Sequence, residues 1–109
     1  MSEIKTEIRD QAKLSYDRAL AKKNLHEAMS ARLLLGHAGG LWRCNQDLIC
    51  LLESYKSEES IAILDCQDVP RLINPLQLLV LVKQRHQEVM NDWLVAYNDL
   101  AKVRTAKHV

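Results

Sequence analysis

Apolar residues recur most regularly in the last third of the chain. Between residues 75 and 106 they alternate spacings of three and four, a heptad pattern interrupted by a single polar position: Leu79, Val82, His86, Val89, Trp93, Ala96, Leu100 and Val103. This spacing predicts one long amphipathic helix over 75–106. Asn74 and Pro75 form a helix start, because asparagine caps helices and proline is tolerated in the first turn.

The first third of the chain has a helical composition with a weaker pattern. Residues 2–35 contain no glycine or proline and are rich in strong helix formers, which predicts a second long helix. Its apolar residues form narrow faces, which indicates partial exposure or a partner. In the last helix, Met90, Leu94 and Tyr97 widen the apolar face, so we expect that helix to pack in a bundle or against several neighbours.

Two arrangements of these long helices fit the pattern. Their matched lengths suit an antiparallel helical hairpin. In the alternative, each long helix pairs with a copy of itself in a symmetric oligomer, and the middle segment forms a small head. Periodicity does not choose between the two.

All three glycines of the chain fall within five positions, at Gly36, Gly39 and Gly40. Gly36 stands where a helix C-cap glycine belongs, and glycine clusters punctuate structure. We therefore predict a chain reversal or hinge over residues 36–44, with Leu41 and Trp42 packing the turn onto the core. A phosphate-binding loop is the alternative, but the spacing fits neither G-x-G-x-x-G nor a P-loop.

The segment 45–74 predicts two small elements. Asn45 is a good N-cap for a short helix that runs from Gln46 to about Lys56. Two short apolar runs follow and predict a β-hairpin of 61–65 against 69–73, which must lie on a helix or on the sheet edge of another subunit. The expected fold is mostly α: two long helices with a short helix and a small β-hairpin between them.

Composition limits the class of protein. The chain has 109 residues, of which 48% are hydrophobic and 27% charged, with a net charge of +1, as expected for one soluble domain over 1–109. No apolar run is long enough to span a bilayer, and no secretory signal is evident, so we expect no membrane contact and a cytoplasmic location. An elongated helical chain of this size buries little surface, which favours an oligomer or a complex subunit.

Candidate chemistry is sparse. The seven cysteine and histidine side chains include no C-x-x-C and no H-x₃₋₅-H spacing, so we predict no metal and no cofactor. No nucleophile elbow is present, and the carboxylates are scattered, so we predict no catalytic residues and no enzymatic activity. His86 interrupts the heptad pattern and is read as a satisfied helix residue; the sharper hypothesis is a pH-sensitive device that weakens assembly on acidification.

Basic residues raise a second class of function. Lys102, Arg104, Lys107 and His108 crowd the end of the chain, and Lys83, Arg85 and His86 make a second basic group. These groups favour, as the alternative function, a small accessory or regulatory protein that binds nucleic acid. Cations near a helix C-terminus also stabilise the helix dipole, and that is the simpler explanation.

A GGLW turn, a short apolar helix, a hairpin and a helix carrying EVMNDWLVAYNDL follow one another in this chain. In that order they resemble small helical proteins of tailed bacteriophages. The resemblance implies a virion or assembly component, located in the host cytoplasm or the particle, and implies no functional residues. The sequence thus predicts a non-enzymatic assembly subunit that acts through helix–helix and hairpin contacts. The first predicted interaction surface is the seam of the last helix, and the second is the edge of the hairpin. The seam consists of Leu79, Val82, His86, Val89, Trp93 and Leu100.

Overall fold

The computed structural model describes the backbone of residues 2–106 and the side chains of residues 13–102. Its elements are α1 (Ser2–Arg32), β1 (Leu34–His37), β2 (Gly40–Arg43), α2 (Gln46–Tyr55), β3 (Ile61–Leu64), β4 (Pro70–Ile73) and α3 (Pro75–Ala106). The mostly α class is confirmed. The expectation of a single β-hairpin was wrong, because two separate antiparallel hairpins flank α2.

The two long helices pack against each other in opposite directions. His26 meets Trp93 and, one turn earlier in α1, Lys22 meets Tyr97, so residue numbers fall along α1 as they rise along α3. The molecule measures 72 × 25 × 18 Å. We call α1 with residues 85–106 the stalk and residues 33–84 the head.

The segment predicted as a hinge is the first β-hairpin. Helix α1 ends at Arg32, before Gly36, because residues from Leu34 onward pair with β2. The turn consists of Ala38 and Gly39, whose φ angles of 52° and 75° are the positive values that two-residue hairpin turns require. The predicted chain reversal is present as a paired hairpin, whereas the expected helix C-cap at Gly36 was wrong because Gly36 lies within β1.

Trp42 fixes this hairpin to the head, as expected. Its side chain is 1% exposed, and its indole N–H donates to the carbonyl oxygen of His37 at 2.8 Å. The hydrogen bond lies within the hairpin, while the ring lies in the core. Burying the ring and satisfying its N–H together hold the turn in place.

The capping predictions are confirmed at both later helices. The Oδ1 atom of Asn45 accepts a hydrogen bond from the Leu48 N–H at 2.8 Å. The Oδ1 atom of Asn74 accepts one from the Gln77 N–H at 3.1 Å, just before Pro75. Each bond satisfies an amide that the first turn of a helix leaves without a partner.

The head has one apolar core, to which both hairpins, α2 and the beginning of α3 contribute. Its buried members are Trp42, Cys44, Ile49, Leu52, Ile73, Leu78, Leu79 and Val82. The second hairpin turns Ile61, Ile63 and Ile73 toward this core and leaves Ala62 and Leu72 exposed. It therefore lies on the head of its own chain.

Arg85 joins the head to the stalk. Its guanidinium donates to the carbonyl oxygen of Arg32 at 3.1 Å and to that of Leu34 at 3.2 Å. The last carbonyls of a helix have no partner within the helix, and a basic side chain satisfies them. Arg32 in turn pairs with Asp92 at 2.7 Å, so the end of α1 is attached to α3 at two points.

Candidate functional site

The six residues predicted as an interaction seam face the interior of the chain itself. Leu79 and Val82 belong to the head core, and Val89 is buried. The other three, His86, Trp93 and Leu100, are half-buried. The seam is thus largely occupied by α1 and the head, and its buried members offer no surface to another molecule.

A second apolar stripe of α3 lies beside the seam. Met90, Leu94 and Tyr97 are spaced by four and three residues, so they lie on one helix face. Together with Trp93 they line a shallow groove of about 410 Å³. Leu94 is 60% exposed and Tyr97 is 47% exposed. Apolar groups of this size, aligned at helical spacing, are typical of a surface that packs against another helix.

Two side chains of helix α1 contact the aromatic residues that line this groove. The His26 ring meets Trp93 edge-on, with a centroid distance of 5.3 Å and an angle of 81°. The Lys22 Nζ lies 5.9 Å from the centre of the Tyr97 ring. Edge-to-face and cation–π contacts of this kind hold aromatic rings in fixed orientations. The two aromatic rings of the groove are therefore each in contact with a side chain of α1, and one of these side chains, Lys22, is cationic.

The stalk has two flanks of different character. The front flank consists of the groove and the two side chains of α1 that contact it: Lys22, His26, Met90, Trp93, Leu94 and Tyr97. The back flank lies on the other side of the α1–α3 contact, on the faces that include Arg32 and Asp92, and consists of Asp17, Leu20, Glu88, Asp92, Val95 and Asp99. Two apolar side chains on this acidic flank are also exposed, Leu20 at 41% and Val95 at 61%.

Gly40 is the glycine that the packing of the head requires. Gly40 is buried, and a Cβ there would lie 3.1 Å from the Asp65 Oδ2 and from the Arg71 Cγ. Gly40 thus allows β2 to approach the loop of the second hairpin. Nothing lies within 4 Å of a Cβ at Gly36, which is exposed.

Asp65 is the buried carboxylate against which Gly40 packs. Its Oδ1 accepts from the N–H groups of Gln67 at 2.9 Å and Val69 at 3.0 Å, and its Oδ2 accepts from Leu41 at 3.3 Å. The Val69 bond is the main cause that lowers the pKa of Asp65; burial opposes it, and the other two bonds and Arg71 add to the lowering. Both oxygens are already engaged, so the adjoining cleft of about 310 Å³ holds no free carboxylate.

Two residues of the second basic group predicted for nucleic acid, Lys83 and Arg85, have partners within the chain. Lys83 pairs with Glu53, and this hydrogen bond, followed by that from Lys56, lowers the pKa of the Glu53 carboxyl. Arg85 holds the end of α1, as described above. Lys102 is exposed. The side chains of Arg104, Lys107 and His108 lie outside the described residues.

Comparisons of the chain with protein-family models, with curated proteins and with solved structures find no match. Among the described residues, no three cysteine, histidine or acidic side chains are grouped so that they could hold a metal ion. Within the same residues, every helix is too short or too polar to cross a membrane.

Sequence reasoning identified the residues of the groove but not their role. Met90, Leu94 and Tyr97 were recognised as a widening of the apolar face. Which side of that face α1 covers depends on how the two helices rotate about their axes, and no local spacing encodes this rotation. The back flank was missed for the same reason.

Proposed function

We propose that this protein is a non-enzymatic assembly subunit that binds another protein chain through the front flank of its stalk. One observation carries the proposal: Leu94 is 60% exposed in an apolar groove although the seam beside it is packed. A pair of helices shares only one mutual face, so a second apolar stripe has no cover within the pair. Binding another chain removes this apolar surface from water.

Helix α2 indicates what kind of structure fits on this stripe. It packs on α3 near Leu79 and Lys83, where Lys83 pairs with Glu53 of α2. Continuing at spacings of three and four residues, the same face of α3 reaches Met90, Leu94 and Tyr97, beyond the end of α2. A helix of another chain placed on this part of α3 continues the arrangement that α2 begins.

A site-specific cross-linking experiment tests the proposal. A photoreactive phenylalanine analogue replaces Leu94, and in a matched control it replaces Leu64, which is also 60% exposed but lies on the head. After irradiation in the source organism, we expect a discrete protein adduct at position 94 and not at position 64. The captured protein is then purified and titrated against the subunit.

The proposal requires that the purified pair binds with saturation and that Leu94→Ser weakens binding at least tenfold, which corresponds to about 1.4 kcal/mol. Adducts of equal pattern at both positions, or none at position 94, contradict it. A salt-sensitive nucleic-acid adduct at position 94 contradicts it as well and favours the alternative function.

The setting that we propose for such a subunit is the particle of a tailed bacteriophage or its assembly in the host cell. The GGLW turn and the Trp93 region support this setting through the resemblance described above. A long, narrow stalk with a small head also suits a component that spans a distance inside a larger assembly.

A further inference from the structure

We infer that the chain bound by the front flank is a second copy of this protein, which contributes its back flank, so that copies stand side by side with parallel stalks. The inference rests on the proposed function and adds the identity of the partner. It follows from three ways in which the two flanks match: their charges are opposite, both expose apolar residues, and these residues lie at the same height along the stalk.

Charge is the first property. Lys22 is the cation of the front flank, and the six residues that define this flank include no carboxylate. The back flank carries four carboxylates, at Asp17, Glu88, Asp92 and Asp99, of which Asp92 pairs with Arg32. Three cations lie on the same flank: Arg32, and also Lys13 and Lys102, which lie one helical turn from Asp17 and Asp99 toward the tip. The carboxylates named on the back flank thus exceed its cations by one. Opposite potentials on two surfaces favour their association and fix its register.

Apolar surface is the second property. The front flank exposes Leu94 and Tyr97, and the back flank exposes Leu20 and Val95. A contact between the two flanks covers all four side chains, whereas each remains in water on an isolated stalk. Removing apolar surface from water supplies the main driving force for association of this kind.

Equal height along the stalk is the third property. Leu94 and Val95 are adjacent in α3, so the apolar parts of the two flanks lie within one residue of each other along the axis. Lys22 lies against Tyr97, and Asp99 is two residues, or about 3 Å, further along the helix. A neighbouring copy in the same orientation therefore places its Asp99 near Lys22 without sliding along the stalk.

Other ways of pairing two copies bring less complementary surfaces together. A two-fold pairing of front flanks brings the Lys22 side chains of the two copies toward each other and leaves the back flanks uncovered, and like charges in contact oppose association. Front-to-back contact is heterologous: each copy uses two different surfaces. Such contacts form a ring where the rotation from copy to copy closes and an open array where it does not.

The test is the mass of the protein in solution, measured by light scattering on a size-exclusion column at several concentrations. The variants are Leu94→Ser, which alters only the front flank, and Val95→Ser, which alters only the back flank. Circular dichroism checks that both remain helical. We expect the unaltered chain to form an oligomer of at least three copies and each variant alone to be a monomer of 12.5 kDa.

Mixing the two variants gives the decisive result. Val95→Ser retains an intact front flank and Leu94→Ser an intact back flank, so the mixture forms a dimer, twice the 12.5 kDa chain, and goes no further. As a second pair, Lys22→Glu and Asp99→Lys each reduce assembly at least tenfold in apparent affinity, and the double variant in one chain restores it.

Three results overturn the inference. An unaltered chain that is monomeric at every concentration excludes self-association. Loss of assembly in Leu94→Ser but not in Val95→Ser indicates a two-fold front-to-front contact. A mixture that stays monomeric shows that the flanks do not bind each other. If position 94 nevertheless cross-links to a different protein, the inference of a second copy fails while the proposed function stands.

Discussion

Replacing the three glycines by alanine, one at a time, tests whether this segment is a flexible hinge or a packed hairpin. At Gly40 the new Cβ would lie 3.1 Å from the Asp65 Oδ2 and 3.3 Å from its Cβ. Asp65 is held by three backbone N–H groups, so it has little freedom to move. Overpacking of this kind costs about 1–3 kcal/mol, and we expect Gly40→Ala to fall in this range.

Alanine at the other two positions changes the free energy of unfolding for different reasons. Gly39 has a φ of 75°, which an alanine adopts at a cost of about 1–2 kcal/mol, although the nearest side-chain atom, of Arg71, lies at an ordinary 3.6 Å. At Gly36 the φ is not left-handed and no atom lies within 4 Å. Gly36→Ala therefore restricts only the unfolded chain, and we expect a gain of about 0.4–1 kcal/mol.

Urea unfolding followed by circular dichroism measures these differences. The expected free energies of unfolding place Gly36→Ala at or above the unaltered protein, and both Gly39→Ala and Gly40→Ala below it, with unchanged m-values. Equal small effects at all three positions refute the reasoning, because they are the behaviour of a flexible hinge in which no glycine is specifically required.

Three further changes test other contacts. Because the pKa of Asp65 is lowered in the folded protein, its carboxylate stabilises the fold above the unfolded pKa of about 3.9 and loses this effect as pH falls through the folded pKa. Asp65→Asn is therefore less stable than the unaltered protein at neutral pH, and the difference in unfolding free energy narrows below about pH 4; a difference that widens on acidification contradicts this. A double-mutant cycle with His26→Ala and Trp93→Ala, measured by urea unfolding, gives a coupling of about 0.5–1.5 kcal/mol if the ring contact holds in solution, and a coupling near zero contradicts it. Leu52→Ala lowers the free energy of unfolding by about 2–5 kcal/mol, since Leu52 is fully buried in the head, whereas a loss comparable to that of an exposed leucine such as Leu51 argues against the core described.

Local signals in the sequence predicted the helices that begin at a clear N-cap residue. Asn45 and the Asn74-Pro75 pair each have a side chain that accepts an amide hydrogen bond, and both helices begin where these residues indicate. The second hairpin was recognisable because polar residues separate its two apolar runs.

The first hairpin was missed for a physical reason. Leu34 and Leu35 continue the apolar residues of α1 without a break, so the composition still indicates helix where the chain has become a strand. Its turn uses Ala38, an ordinary residue held at a positive φ, rather than an Asn-Gly or Asp-Gly pair. Pairing with β2 and burial of Trp42 override the local preference, and neither can be read from spacing alone.

The route of the chain through head and stalk has a consequence for the order of folding. Strand β1 pairs with β2 across a two-residue turn, whereas the stalk joins residues as far apart as Lys22 and Tyr97. Contacts between near neighbours form at a smaller loss of chain entropy than contacts that close long loops. We therefore expect the head to fold first. Arg85 then binds the carbonyl groups at the end of α1, and the contacts between α1 and α3 form in order from the head toward the free end of the stalk.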